Sequence, residues 1–158
     1  MLKGIKLFKG NNFRDKRGLL WTSWISNKKS LKFNHDKFSL SKKNVFRGLH
    51  YDNKTWKLVS CPYGKFYLVV VNLDKKSKFY KKIFSITLSQ EKNIQVLIPP
   101  KFANGHLCLS DFCLFHYKLS YKGKYVDAKN QKNLKWYDKD LKIDWPIKKK
   151  LILNKRDK

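Results

Sequence analysis

Four histidines, His35, His50, His106 and His116, are the side chains of this 158-residue chain best suited to exchange a proton near neutral pH. One of them stands among other groups of use to a reaction. Residues 45–59 read VFRGLHYDNKTWKLV, so Arg47 precedes His50 and Lys57 follows it. A histidine can serve as a base, an arginine offers a planar fork to phosphate or carboxylate, and a lysine can hold a developing oxyanion. Strict alternation along a strand puts Arg47 and His50 on opposite faces. Gly48 between them permits a bulge or turn that brings both into one pocket. The same run also reads as an ordinary hairpin, two short strands about a polar bend at 52–55, with its charges in solvent.

Other chemistries find less support. A metal site needs three or four converging ligands. The chain has no His-x-His pair and a single Glu, Glu91, so no metal is expected. No G-x-S-x-G, G-x-G-x-x-G or phosphate-loop pattern is present, which argues against a serine triad and a dinucleotide cofactor. His116 lies between Phe115 and Tyr117 and should face away from both in a strand. Taken alone, Tyr117 reads as a core tyrosine with a satisfied hydroxyl. Cys61, Cys108 and Cys113 are odd in number and fit neither a zinc site nor a disulfide framework. They read as reduced, buried thiols of a cytosolic protein.

The elements that must position these groups are short and β-like. Strands are expected near Ile5 and Leu7, over 19–26, 37–41, 45–51, 57–60 and 65–73. Further ones are expected over 79–88, 96–98, 105–109 and 112–120. Turns fall at 13–18, at Pro62-Tyr63-Gly64 and at Ser110-Asp111, loops at 27–34 and 121–133, and Pro99-Pro100 stops a strand. Many short strands with turns every 8–12 residues argue for a sandwich or a jelly-roll barrel. One domain, 1–158, accounts for the length. The start of the chain lacks an apolar run of signal length, and no stretch approaches the 18 apolar residues of a membrane span, so no membrane is expected.

Lys plus Arg number 37 against 11 Asp plus Glu, a net charge of +26. Only Arg14, Arg17, Arg47 and Arg156 are arginines. Nucleic-acid grooves favour arginine forks and stacking aromatics, and lysines spread along the whole chain mark neither. The charge favours anionic partners without naming one, and no specific nucleic acid is expected.

A larger pattern then emerges. It begins with Phe13, Asp15, Arg17 and Gly18, followed by Ser39 and Ser41. It runs on through Arg47-Gly48-Leu49-His50-Tyr51, Lys57-Leu58-Val59 and Gly64, and through Pro99-Pro100, Phe102-Ala103, Leu109-Ser110-Asp111 and Tyr117-Lys118. It ends with Trp136, Asp138, Asp140-Leu141, Ile143-Asp144-Trp145-Pro146 and Arg156-Asp157. Together these resemble the dTDP-4-dehydrorhamnose 3,5-epimerase family of cupin-like proteins, over almost the whole chain. The resemblance implies an all-β double-stranded β-helix, a jelly-roll barrel with short peripheral helices.

It also implies roles. His50 matches the catalytic base, Asp157 its carboxylate partner, Tyr117 the general acid on the other face of the sugar, and Lys57 the lysine near the ketone oxygen. Arg17, Arg47, Phe13, Asn104 and His35 fall on the substrate-binding side. The implied substrate is a nucleotide sugar, the implied assembly a homodimer in which the partner chain can complete the nucleotide site, and no cofactor is called for. The tail must fold back to bring Asp157 to His50, held by Leu151, Ile152 and Leu153. Trp136 and Trp145 read as packing residues and Asp15 as a turn former. The sequence departs from the family pattern where Asn104 replaces a histidine, where His106 falls at an apolar position, and where Lys37 stands for an amide. A 3-epimerase, an epimerase of another nucleotide sugar and a non-catalytic sugar-nucleotide-binding barrel remain as alternatives.

Overall fold

Apolar residues that alternate with polar ones build strands here, and Gly, Pro and Asp stop them. The computed structural model describes residues 2–25, 31–147 and 150–158. The strands are β1 (Lys6–Lys9), β2 (Asn12–Asp15), β3 (Gly18–Trp21), β4 (His35–Lys42), β5 (Phe46–Tyr51) and β6 (Trp56–Tyr63). They continue as β7 (Lys65–Asn72), β8 (Ile83–Ser89), β9 (Ile94–Ile98), β10 (Phe102–Cys108), β11 (Phe112–Ser120) and β12 (Lys132–Asn133). One antiparallel sheet has the order β1-β9-β6-β11-β4, a second the order β12-β5-β10-β7-β8, and β2 and β3 form a separate ribbon.

The all-β expectation holds, but the expected double-stranded β-helix barrel does not. The first sheet ends at β1 and β4 and the second at β12 and β8, and neither pair of edges joins. The architecture is two open five-stranded sheets. Period-two alternation states which face of a strand is buried and is silent on what its edge meets. Short strands with frequent turns serve open and closed sheets alike. Among the described residues the expected peripheral helices are two single 3-10 turns, Ala128–Asn130 and Lys155–Asp157.

The main core lies between the sheets. Val59, Val96, Cys113 and Phe115 from the first meet Phe66, Leu68, Val70 and Phe102 from the second. A second cluster covers the other face of the second sheet, where Phe46, Leu49, Val71 and Leu107 pack against Leu141 and Trp145. Trp145 donates its indole N–H to the Trp136 carbonyl at 2.9 Å and meets Phe46 edge-on. Both tryptophans are thus packing residues. Leu151 and Leu153 join this cluster. Ile152 does not: its side chain is mostly exposed, and it holds the tail by pairing its backbone with Asn44 and Phe46.

Several strand ends differ from expectation for local reasons. Pro62 is expected to turn, yet β6 runs through it to Tyr63, because the four residues Ser60 to Tyr63 lie opposite the three residues Leu114 to His116 of β11 and the bulge accommodates the proline's missing N–H. β10 starts at Phe102 rather than 105, since pairing with Asn72 and Val71 of β7 overrides the turn character of Asn104-Gly105. Residues 79–82 form a turn and not the start of β8. β3 ends at Trp21, short of the expected 19–26; residue 26 and residues 27–30 of the expected loop 27–34 lie outside the described residues.

Candidate active site

Arg47 and His50 share a pocket because β5 is bulged. His50 pairs with Asn104 and Arg47 with His106, so the step from 47 to 50 on β5 matches the step from 104 to 106 on β10. Gly48 has φ +134°, and a Cβ there would lie 2.4 Å from the Gly105 Cα. Only two glycines let the strands approach this closely. The extra residue cancels the alternation that would otherwise separate Arg47 from His50.

The pocket is a cavity of about 220 Å³ between the two sheets. β4 contributes Lys37 and Ser39, β6 Lys57, and β11 Phe115 and Tyr117. β5 and β10 close it from the other sheet with Arg47, His50, Asn104 and His106, and Tyr125, Gln131, Asn154, Arg156 and Asp157 cover the mouth. Arg47 Nε donates to Ser41 Oγ at 3.1 Å.

The tail supplies the carboxylate. Asn154 caps the Lys155–Asp157 turn by accepting from the Arg156 N–H at 2.6 Å, and Asn133 of β12 donates to the Arg156 carbonyl. Asp157 is 4% exposed, and its Oδ1 lies 2.7 Å from His50 Nε2. With Nε2–H donating to the carboxylate, the lone pair of a neutral His50 is on Nδ1. The bond to Asp157 fixes the tautomer and orientation of the ring.

Burial shapes the remaining groups. Lys57 is enclosed and donates to Asn104 Oδ1 at 2.8 Å. Burial pushes its ammonium down to about 8, against a pull upward from Asp52 and a further push down from Arg156. The Tyr117 hydroxyl is held above its ordinary value by burial, partly offset by Lys37. His106 stacks on Phe115 at 4.3 Å and is pushed down to about 3 by burial, with Arg47 and His50 acting in the same sense. The cavity therefore gathers a histidine–carboxylate pair, a buried amine and a protonated phenol. That set can remove a proton, hold an oxyanion and return a proton.

Three residues expected on the substrate side lie elsewhere in the chain. Arg17 sits at the tip of the β2–β3 ribbon, its side chain 84% exposed and bonded to Asp15 at 2.6 Å. Asp15 also accepts from the Arg17 backbone N–H, which makes it the turn former. Phe13 faces a separate groove of about 720 Å³ with Phe8, Trp24, Phe33 and Leu97. His35 stands behind Tyr125, its ring 4.6 Å away, and meets the Tyr121 hydroxyl at 3.3 Å. His116 faces away from the cavity, between Ser60 and Asp36. Among the described residues no group of three His, Cys, Asp or Glu side chains is placed to share a metal ion. Tyr125, Gln131 and Asn154 went unremarked in the sequence, because the irregular segments that carry them have no period to read.

The sequence profile of dTDP-4-dehydrorhamnose 3,5-epimerases matches residues 1–158. The chain belongs to this family. It is 32% identical over 160 residues to the dTDP-4-dehydrorhamnose 3,5-epimerase of Shigella flexneri, covering 96% of this chain and 87% of that one. The epimerase of Legionella pneumophila, solved with dTDP-4-keto-L-rhamnose, superimposes with a TM-score of 0.89 at 30% identity over 97% of this chain and 84% of that one. The Bacillus anthracis family member, solved with TDP and pyrophosphate, gives 0.87 at 31% identity over 98% and 91%. The profile match runs through both sheets and the tail that carries Asp157.

Proposed function

We propose that this protein is an enzyme, a cofactor-independent 3,5-epimerase of a dTDP-linked 4-keto-6-deoxy sugar. The observation that carries the reading is the His50–Asp157 pair at 2.7 Å, set in one cavity with Lys57 and Tyr117. A ketone at carbon 4 acidifies the protons on carbons 3 and 5. His50 takes one of them and becomes an imidazolium, which Asp157 stabilises. The resulting enolate oxygen is held by Lys57. Tyr117 returns a proton to the opposite face, so the carbon inverts; His50 then gives its extra proton up to solvent and Tyr117 takes one back. Repetition at the second carbon completes the reaction. Arg47 serves the anionic part of the substrate.

Family membership and a fit of His50, Tyr117, Asp157 and Lys57 to these roles support the same assignment. Arg17, Phe13, Asn104 and His35 remain substrate-side residues in this proposal, Arg17 and Phe13 by reaching the cavity of a second copy. A homodimer is favoured by the outer face of the first sheet, where Phe38, Leu40 and Phe112 are exposed. The 158 residues act as one domain in this reading. No helix among the described residues is long and apolar enough to cross a membrane. A cytoplasmic site of action accords with three buried free cysteines.

The test is deuterium incorporation from heavy water into dTDP-4-keto-6-deoxyglucose, followed by mass and proton NMR. Two deuterons, on carbons 3 and 5, are expected. One deuteron would make the protein a single-site epimerase, and none from a folded protein would overturn the reading.

A further inference from the structure

Five enclosed side-chain polar atoms among the described residues have no hydrogen-bond partner, and only one of them, His106 Nε2, belongs to a residue of the cavity. Unmet polar atoms are uncommon in protein interiors and call for a reason. None of the groups around it is bonded to it. Asn104, two residues earlier on the same side of β10, spends its carbonyl oxygen on Lys57. Arg47, opposite His106 in register, bonds Ser41. Phe66 and Phe115 pack against the imidazole at 5.3 and 4.3 Å and offer it no polar partner. These contacts leave hydrogen-bonding capacity at the floor of the cavity that the protein does not use.

We propose that His106 is a specificity-determining residue that hydrogen-bonds an oxygen of the bound hexose at the floor of this cavity. A neutral imidazole carries one donor and one acceptor. It therefore suits a hydroxyl or keto oxygen and brings no positive charge to attract the diphosphate. Its burial keeps it neutral across the working pH range, so it binds without competing with His50 as a base. The inference rests on the epimerase reading, and it adds the part of the substrate that His106 recognises.

Two variants and two ligands test it. In His106→Phe the aromatic packing against Phe115 is kept and the hydrogen bond is lost. KM for dTDP-4-keto-6-deoxyglucose should rise about tenfold, with a smaller change in kcat. The inhibition constant of dTDP, which has no hexose, should stay within about twofold of the parent value. In His106→Gln a donor and an acceptor remain, and most of the lost affinity for the sugar should return. An unchanged KM in His106→Phe, or an equal loss for sugar nucleotide and dTDP in a folded protein, overturns the assignment. If the parent protein itself turns over no sugar nucleotide yet binds dTDP, the epimerase reading fails, and the role of His106 fails with it.

Discussion

His50 Nε2 and Asp157 Oδ1 lie 2.7 Å apart although 107 residues separate them in the chain. One comes from a bulged strand and the other from a 3-10 turn of the tail. Asp157→Asn keeps the size of the side chain and removes its charge, so the imidazolium loses its partner. Turnover should fall by about 10²–10⁴-fold in this variant, and in His50→Ala by at least as much. Steady-state rates with circular dichroism as a control for folding check this. Full activity in either variant would remove the pair from the mechanism.

Tyr117→Phe separates proton removal from inversion. His50 can still abstract a proton and return one from the same face. The expected product in heavy water is substrate that carries deuterium with its configuration retained, while epimer formation drops by about 10²–10⁴-fold. Equal loss of exchange and inversion would instead give Tyr117 a place in the first step. Burial holds the phenol protonated above the ordinary tyrosine range, so Tyr117 should add no alkaline limb below pH 10.

Lys57 sets that limb instead. Burial holds it at about 8 against 10.5 for an ordinary lysine. Activity that needs the ammonium should decline as pH rises through about 8, and the limb should vanish in Lys57→Met along with most of the activity. The stability effect has the opposite sign. Below pH 8 the lysine is charged in the folded and unfolded states alike, and the fold carries the full cost of burying it, about 3 kcal/mol for this gap. Between pH 8 and 10.5 the folded protein sheds its proton first and the cost fades. Lys57→Met should therefore raise stability at pH 7 by up to about 3 kcal/mol, less what Asn104 loses as a partner. Urea unfolding at pH 7 and at pH 10 measures both, and the gain should be smaller at pH 10.

Gly48→Ala tests the bulge. The added Cβ would meet the Gly105 backbone at 2.4 Å in a conformation, φ +134°, that alanine rarely adopts. A loss of about 2–5 kcal/mol is expected from the strain and the clash together. Gly18→Ala is the control for φ alone, since that glycine has the same φ with nothing within 4 Å. Its cost should be the smaller of the two.

What could be read from the sequence follows from how local each signal is. The boundaries of β11 were legible as 112–120, because nine residues follow the Ser110-Asp111 turn without a glycine or proline. β7 was legible as a continuous apolar run. The openness of the sheets was not, since it depends on which edges meet. At the site, Arg47 and His50 flank Gly48, and their convergence could be anticipated from that glycine. Asp157 became a candidate through the resemblance alone, for a penultimate aspartate in a basic stretch carries no period of its own. The orphaned nitrogen of His106 depends on what surrounds the ring in three dimensions, which no pattern along the chain records.

The long reach between the two halves of the dyad also orders events in time. A ribosome adds His50 to the chain 107 residues before it adds Asp157. A nascent chain can thus pair β5 with β10 and present an imidazole well before any carboxylate exists to orient it. The dyad can close only once the tail turn that carries Asp157 has been made.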